Sequence, residues 1–282
     1  MVCIAIYNSK GGTGKTTEAI HLAYGLSFAK PKSRILLIDL DGQNSLKTYL
    51  KMKLDKMDAY EFLLDQAPIE SCTYTTSINI NGQPCSVDVM PASTKMSSFE
   101  SKTTHIAGRE NLLRVRFDEC GVSLKYDYVV IDCPPAFSQN TLNALMASDY
   151  LITPAVMDDY VTTSVNYISE NLQIMKRNLR TTNPVFLGIL PTLYDVRQSV
   201  SRIIFEGLQR QFHGLKIFNP IRMNAAYKKA QVQRTVVYAS ERSPAKATED
   251  NLAFVKEVLT EISNFDKKIP APTKGEITGL EA

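Results

Sequence analysis

Short, almost wholly apolar runs alternate with helical patterns along the 282 residues. This alternation predicts an α/β fold: a single domain on a mainly parallel twisted sheet, with helices on both faces. Three runs carry most of the weight. Val2–Tyr7, Arg34–Asp39 and Tyr126–Asp132 are rich in Val, Ile and Leu, and the second and third end in aspartate. A glycine-rich turn, Ser9-Lys10-Gly11-Gly12-Thr13-Gly14-Lys15-Thr16-Thr17, joins the first run to the first helical pattern.

The other elements follow from spacing and breakers. Thr16–Ala29 reads as a helix through Ile20, Ala23, Tyr24 and Ser27, and Pro31 stops it. Asn44–Met52 and Asp58–Asp65 fit two short helices. Ser71–Ser77 and Cys85–Met90 alternate as strands around Asn81-Gly82, a hairpin signal. Arg109–Glu119 is helical. Helix and strand then alternate through Ser138–Ala147, Tyr150–Thr153, Tyr160–Leu179, Val185–Pro191, Gln198–Phe212 and Lys216–Phe218. A last helix from about Pro244 to Phe265 sets Leu252, Val255, Val258, Leu259 and Ile262 on one face. Residues 1–265 are expected to form one domain, and the Pro/Gly-containing residues 266–282 a flexible tail.

Composition excludes several classes. Apolar residues make up 44% and charged residues 22%, as in ordinary globular proteins. No apolar run approaches the ~18 residues of a membrane span, and no basic leader precedes the first strand. The five cysteines, Cys3, Cys72, Cys85, Cys120 and Cys133, form no C-x-x-C pair and read as free thiols of a reducing compartment, so a cytoplasmic location is expected. The three histidines, His21, His105 and His213, lie far apart and read as structural. Net charge is only +3, but Arg197 to Arg234 holds eight Lys/Arg against one acid, Glu206. A basic segment on an otherwise acidic chain is the footprint of a polyanion site, or else a solvated helical face.

The glycine-rich turn carries the chemistry. A phosphate loop needs small residues so that successive N–H groups turn inward, a Lys for the β- and γ-phosphates and a Ser/Thr hydroxyl for Mg2+. Gly11, Gly12, Thr13, Gly14, Lys15, Thr16 and Thr17 meet these needs between a strand and a helix whose N-terminus faces the phosphates. Ser9 replaces the first glycine of the common G-x-x-x-x-G-K-[ST] pattern, and a second lysine, Lys10, stands inside the loop.

That form, K-G-G-x-G-K-[ST], resembles the deviant Walker A loop of the ParA/MinD superfamily of P-loop NTPases, over about residues 1–265. Ile35-Leu36-Leu37-Ile38-Asp39-Leu40-Asp41 is similar to the family's second acidic motif, and Tyr128-Val129-Val130-Ile131-Asp132 to its Walker B strand. The resemblance implies ATP and Mg2+ as cofactors, Asp41 acting on the attacking water, Asp39 near the Mg2+ shell and Asp132 holding Mg2+ through water. It implies that Lys10 reaches the partner subunit's nucleotide and stabilises the transition state in trans, so that hydrolysis is coupled to an ATP-dependent homodimer. Gly42 stands where the family usually has proline.

Within the superfamily, Val87-Asp88-Val89-Met90-Pro91-Ala92 and the segment Asn219–Ala230 resemble ParA partition ATPases. The resemblance makes Pro220 an adenine contact and Arg222 and Arg197 DNA contacts; Lys228 and Lys229 are added from charge alone. The implied activity is plasmid or chromosome partition: a nucleoid-associated ATPase whose dimer binds double-stranded DNA non-specifically. A ParB-like partner would stimulate hydrolysis. The chain starts at the loop's own strand, so no N-terminal helix-turn-helix domain or operator binding is expected. Positioning of another large cargo is the nearest alternative. A MinD-like membrane ATPase would need a C-terminal amphipathic helix, which Pro270, Pro272, Gly275 and Gly279 oppose. An iron-protein reductase would need a cysteine pair, and a tyrosine kinase of this fold a terminal tyrosine cluster. The sequence supplies neither.

Overall fold

Along the inner strands, neighbouring side chains enter two different cores. Ile4, Ile6, Ile35, Leu37 and Val130 pack on one side of the sheet, and Cys3, Ala5, Leu36, Ile38, Val129 and Ile131 on the other. A strand buried on both faces gains nothing from polar alternation, which is why these runs are continuously apolar. The computed structural model describes residues 1–53, 55–239 and 245–268. Its first half comprises β1 (Val2–Ile6), α1 (Lys15–Ala29), β2 (Ile35–Asp39), α2 (Ser45–Leu50), α3 (Ala59–Leu63), α4 (Ile69–Cys72), β3 (Tyr74–Ile80), β4 (Gln83–Met90), α5 (Phe99–Lys102), α6 (Leu112–Glu119), α7 (Val122–Lys125) and β5 (Tyr128–Asp132). There follow α8 (Gln139–Ala147), β6 (Tyr150–Val156), α9 (Val161–Leu179), β7 (Val185–Thr192), α10 (Ser199–Gln211), β8 (Lys216–Ile217), α11 (Ala226–Gln233) and α12 (Ala245–Lys268).

The eight strands lie in the order β3-β4-β2-β5-β1-β6-β7-β8. All pair in parallel except β3, which returns antiparallel on β4. The predicted mainly parallel sheet, covered on both faces, is therefore the fold observed. Asn81 (φ 51°) and Gly82 (φ 84°) make the hairpin turn, both in the left-handed region that such turns require.

Several boundaries differ from expectation for local reasons. The strand expected over Ser71–Ser77 begins at Tyr74 instead, because Ile69 and Cys72 turn into the core as α4. β6 continues past Thr153 through Pro154. The Pro154 carbonyl faces the β1 side, where it accepts a hydrogen bond from Asn8 at 2.7 Å. The missing N–H points the same way, toward the Tyr7 carbonyl, so the β1–β6 ladder ends at its last pair, Ile6 with Ile152. α11 was not expected; the Asn224 side chain accepts from the Ala226 N–H at 2.9 Å at its start. Residues 266–268 continue α12, while the rest of the expected tail and Pro244 lie outside the described residues.

α1 has no polar face. Ala19, Ile20, Leu22, Ala23, Tyr24 and Leu26 are all fully buried, because the sheet covers one side of the helix and α12 the other. Two features fix it there. Gly25 admits α12 so closely that an added Cβ would lie 2.4 Å from Val255 Cγ2 and 3.1 Å from the Tyr238 hydroxyl. His21, wholly buried, donates from Nδ1 to the Thr17 carbonyl at 2.7 Å and accepts at Nε2 from the Val237 N–H at 3.1 Å. These partners assign a neutral Nδ1–H tautomer. Burial pushes its pKa down to about 4.

Gly25→Ala is therefore expected to destabilise by about 1–3 kcal/mol, although alanine is the better helix former by about 1 kcal/mol. Adding Val255→Ala should relieve part of that loss in urea unfolding. A Gly25→Ala protein as stable as the parent would contradict the close packing. For His21, the unfolded chain takes up a proton near pH 6.5 while the folded chain does so only near 4. The stability that neutral His21 contributes is present above pH 6.5 and lost as pH falls. The stability deficit of His21→Asn relative to the parent should thus narrow by about 1.4 kcal/mol per pH unit on acidification below 6.5. A pH-independent deficit would show that His21 is not held neutral.

Candidate nucleotide-binding site

The loop between β1 and α1 is anchored at its base by one buried side chain. Asn8 Oδ1 accepts from the Lys10 N–H at 2.9 Å and the Ser164 hydroxyl at 2.8 Å, while its amide reaches the Pro154 carbonyl. On the far side the Thr192 hydroxyl, at the end of β7, donates to the Thr13 carbonyl at 2.8 Å. Gly12 (φ 74°) and Gly14 (φ 87°) take left-handed conformations that a side chain would strain. The loop turns around a cavity of about 390 Å3, lined by Gly11, Gly12, Gly14, Lys15, Thr16 and Thr17. Asp41, Gln43, Ser45, Tyr49, Pro135 and Gln231 complete its wall. The expected phosphate-loop residues are thus gathered at one N-terminal helix end, where unpaired N–H groups and the helix dipole favour anions. Lys15 Nζ donates to the Lys10 carbonyl at 3.0 Å.

Behind the loop stand two acids. The β2–β5 register sets Asp39 directly opposite Asp132, and both are fully buried. Burial, then the Asp132 charge, holds Asp39 well above the usual carboxylate range. Burial pushes Asp132 up to about 7, although the Thr16 hydroxyl and the Lys15 ammonium pull it back. Asp39 Oδ1 accepts from the Asp41 N–H at 2.8 Å, whereas Asp39 Oδ2 and both Asp132 oxygens close no well-formed hydrogen bond among the described residues. Orphaned, buried carboxylate oxygens beside Thr16 fit a hard cation. Among the described residues no group of three or more His, Cys, Asp and Glu is arranged to hold a metal by itself. Mg2+ takes one or two protein groups and completes its shell with water and phosphate, which the Asp39 and Asp132 oxygens and the Thr16 hydroxyl would satisfy.

Asp41 is half-buried on the cavity wall, and its Oδ1 accepts from the Gln43 N–H at 3.0 Å. Gly42 beside it has a packing reason: an added Cβ would lie 2.8 Å from the Ser97 hydroxyl and 3.3 Å from the Ser97 nitrogen. Lys10 turns away from this cavity. It pairs with Asp158 and sits 5.4 Å from the centroid of the Tyr160 ring.

The remaining expected residues lie apart. Pro220 lines a separate depression with Tyr194, Arg222 and Asp250. Arg222 is half-buried and held by Asp250 through its Nε at 2.8 Å and Nη2 at 2.6 Å. Arg197 folds onto Asp195 but stays 81% exposed. Lys228 and Lys229 are exposed on α11, with no ion pair among the described residues. Sequence reasoning did not find Asn8, Tyr49, Thr192 or Gln231. Tyr49 donates to the Thr235 carbonyl at 3.1 Å, so the cavity wall is tied to the segment after α11. No short motif marks contacts of this kind.

Comparison with known proteins gives the family and the fold. An AAA domain model matches residues 1–184. The chromosome partitioning protein ParA of Myxococcus xanthus is 32% identical over 213 residues, covering 74% of this chain and 71% of that protein. The sporulation initiation inhibitor protein Soj of Bacillus subtilis is 29% identical over 211 residues, covering 74% and 79%. Among solved structures, an ATP complex of McdA from Cyanothece superposes with a TM-score of 0.78 at 22% identity, covering 92% of this chain and 96% of that one, and so shares the fold. This chain belongs to the ParA-type family of P-loop ATPases.

Proposed function

We propose that the chain is a partition ATPase: it hydrolyses ATP to ADP and phosphate at the N-terminus of α1, and its ATP-bound homodimer holds double-stranded DNA without regard to sequence. The observation that carries this reading is the division of labour in one loop. Lys15 lies against the cavity and the buried Asp39–Asp132 pair, while Lys10 points away from its own cavity. A cation that serves no phosphate in its own subunit suits a role in the partner's site. The apolar depression it borders, about 690 Å3 and lined by Phe137, Tyr160 and Tyr167, suits cover by a second copy.

In this scheme Lys15 and the loop N–H groups hold the β- and γ-phosphates. Thr16 would hold Mg2+, with Asp39 and Asp132 behind it, and the ion would neutralise charge developing on the phosphate oxygens. Asp41, on the cavity wall, orients the attacking water. Pro220 is assigned to the adenine, which requires the nucleotide to reach from the phosphate cavity to the Pro220 depression. Arg197, Lys228 and Lys229 offer exposed charge to DNA. Arg222 joins them only by exchanging Asp250 for a phosphate. Among the described residues no helix is long and apolar enough to cross a membrane. We place the protein on the nucleoid, with hydrolysis triggered by a ParB-like partner on the cargo and residues 1–265 acting as one ATPase unit.

The test is binding to a random-sequence duplex with ATP, ADP or no nucleotide, across a salt series. Binding should require ATP and fall steeply with salt. Lys228→Ala with Lys229→Ala should reduce the log–log salt slope by about 2, one released counterion per lost phosphate contact. Lys15→Ala, which cannot hold the phosphates, should abolish the ATP dependence. Intact ATP hydrolysis without duplex binding in any nucleotide state would overturn the DNA assignment.

A further inference from the structure

We propose that Asp158 is a positioning residue for Lys10, a latch that holds this lysine within its own subunit until a second copy takes it. The inference rests on the reading that Lys10 acts in trans. Its basis is the geometry of the β6–α9 connection. Asp158 Oδ2 pairs with Lys10 Nζ, while Asp158 Oδ1 accepts from the Tyr160 N–H at 3.1 Å. The turn is closed by the Val161 N–H donating to the Asp158 carbonyl at 3.1 Å. The carboxylate is thus aimed by its own backbone and needs no lysine to hold its place. Tyr160, 69% exposed, lays its ring beneath the same ammonium. On the other side, Asn8 fixes the Lys10 backbone and ties it to Ser164 of α9.

Lys10 is therefore captured by three features of one face, and it does not line the phosphate cavity of its own chain. The pair is open to water, with side chains 42% and 34% exposed, and such pairs are weak. That suits a latch. One carboxylate and one ring hold the lysine in a lone subunit, and the several negative charges of a partner's nucleotide outcompete them. Release of Lys10 then costs little, but it is a cost that association must meet, so the latch raises the protein concentration at which subunits combine.

The experiment is ATP hydrolysis per protomer over a protein concentration series, in the parent, Asp158→Asn, Lys10→Ala and the double variant. Asparagine keeps the acceptor for the Tyr160 N–H and removes only the charge. Asp158→Asn should lower the concentration for half-maximal activity by about two- to fivefold, the range of an exposed ion pair. The shift should shrink at high salt. In the Lys10→Ala background Asp158→Asn should change nothing, because a coupled pair loses its interaction once either member is gone. An unchanged or raised midpoint in Asp158→Asn, with concentration-dependent activity lost in Lys10→Ala, would overturn the latch and leave the trans reading standing. Undiminished concentration-dependent activity in Lys10→Ala would overturn both.

Discussion

Two carboxylates buried side by side constrain the rest of the molecule. Asp39 and Asp132 end adjacent parallel strands in register. At strand spacing, two full charges would repel by on the order of 3 kcal/mol with an effective dielectric of about 20, before any cost of burial. What makes the pair tolerable is arranged around it: the Asp41 N–H on Asp39, and the Lys15 ammonium and Thr16 hydroxyl beside Asp132. Delivering those groups requires β1 to lie next to β5 and its loop to fold back over the pair. It also requires α1 to start there, and α1 is held by packing between the sheet and α12.

The parts of this arrangement carried by consecutive residues were legible in the sequence. The loop Ser9–Thr17, the acids closing two apolar strands and the Asn81-Gly82 hairpin are local patterns, and the structure sets the paired acids behind the loop, next to Lys15 and Thr16. What was not legible depends on residues far apart in the chain. Asn8 meets Pro154 and Ser164, Thr192 meets Thr13, and Tyr49 meets Thr235. Each is an ordinary polar residue whose partner is set by topology. Only the start of the strand expected over Ser71–Ser77 misled, for a related reason. Its composition suits a strand, but Ile69 and Cys72 gain more by turning into the core.

The basic segment shows the same limit in its charge. Eight Lys/Arg in sequence order suggest a strongly positive surface, yet α12 and α10 return acids to several of them. Lys216 meets Glu257 and Glu261, Arg222 meets Asp250 and Glu249, and Arg202 and Arg210 share Glu206. Counting charges along a chain overstates the field when neutralising residues, here those of α12, arrive from elsewhere in the fold. Arg197 is answered by Asp195 yet stays largely in water, and Lys228 and Lys229 stand on α11, whose Gln231 lines the nucleotide cavity. Charge that stays exposed on a helix lining the loop's cavity is better placed to respond to an occupant of that cavity than charge already paired.

The two lysines of one loop therefore belong to two mechanical units. Lys15 opens α1, which His21, Tyr238 and Val255 pin to the segment after α11 and to α12. Lys10 is held by Asp158 and Tyr160 at the entrance to α9, and Asn8 joins that entrance to the loop's base. Between them, Gly12 and Gly14 turn the chain through left-handed conformations, so the loop can present its lysines in different directions. Motion of Lys10 would thus be felt first at α9 and the aromatic face around Tyr160 and Tyr167, while phosphate held by Lys15 would be felt first at α1. With Lys10 acting in trans as proposed, a loop that separates these responses would let nucleotide binding and subunit association be sensed by different helices, and only a completed pair of subunits would engage both.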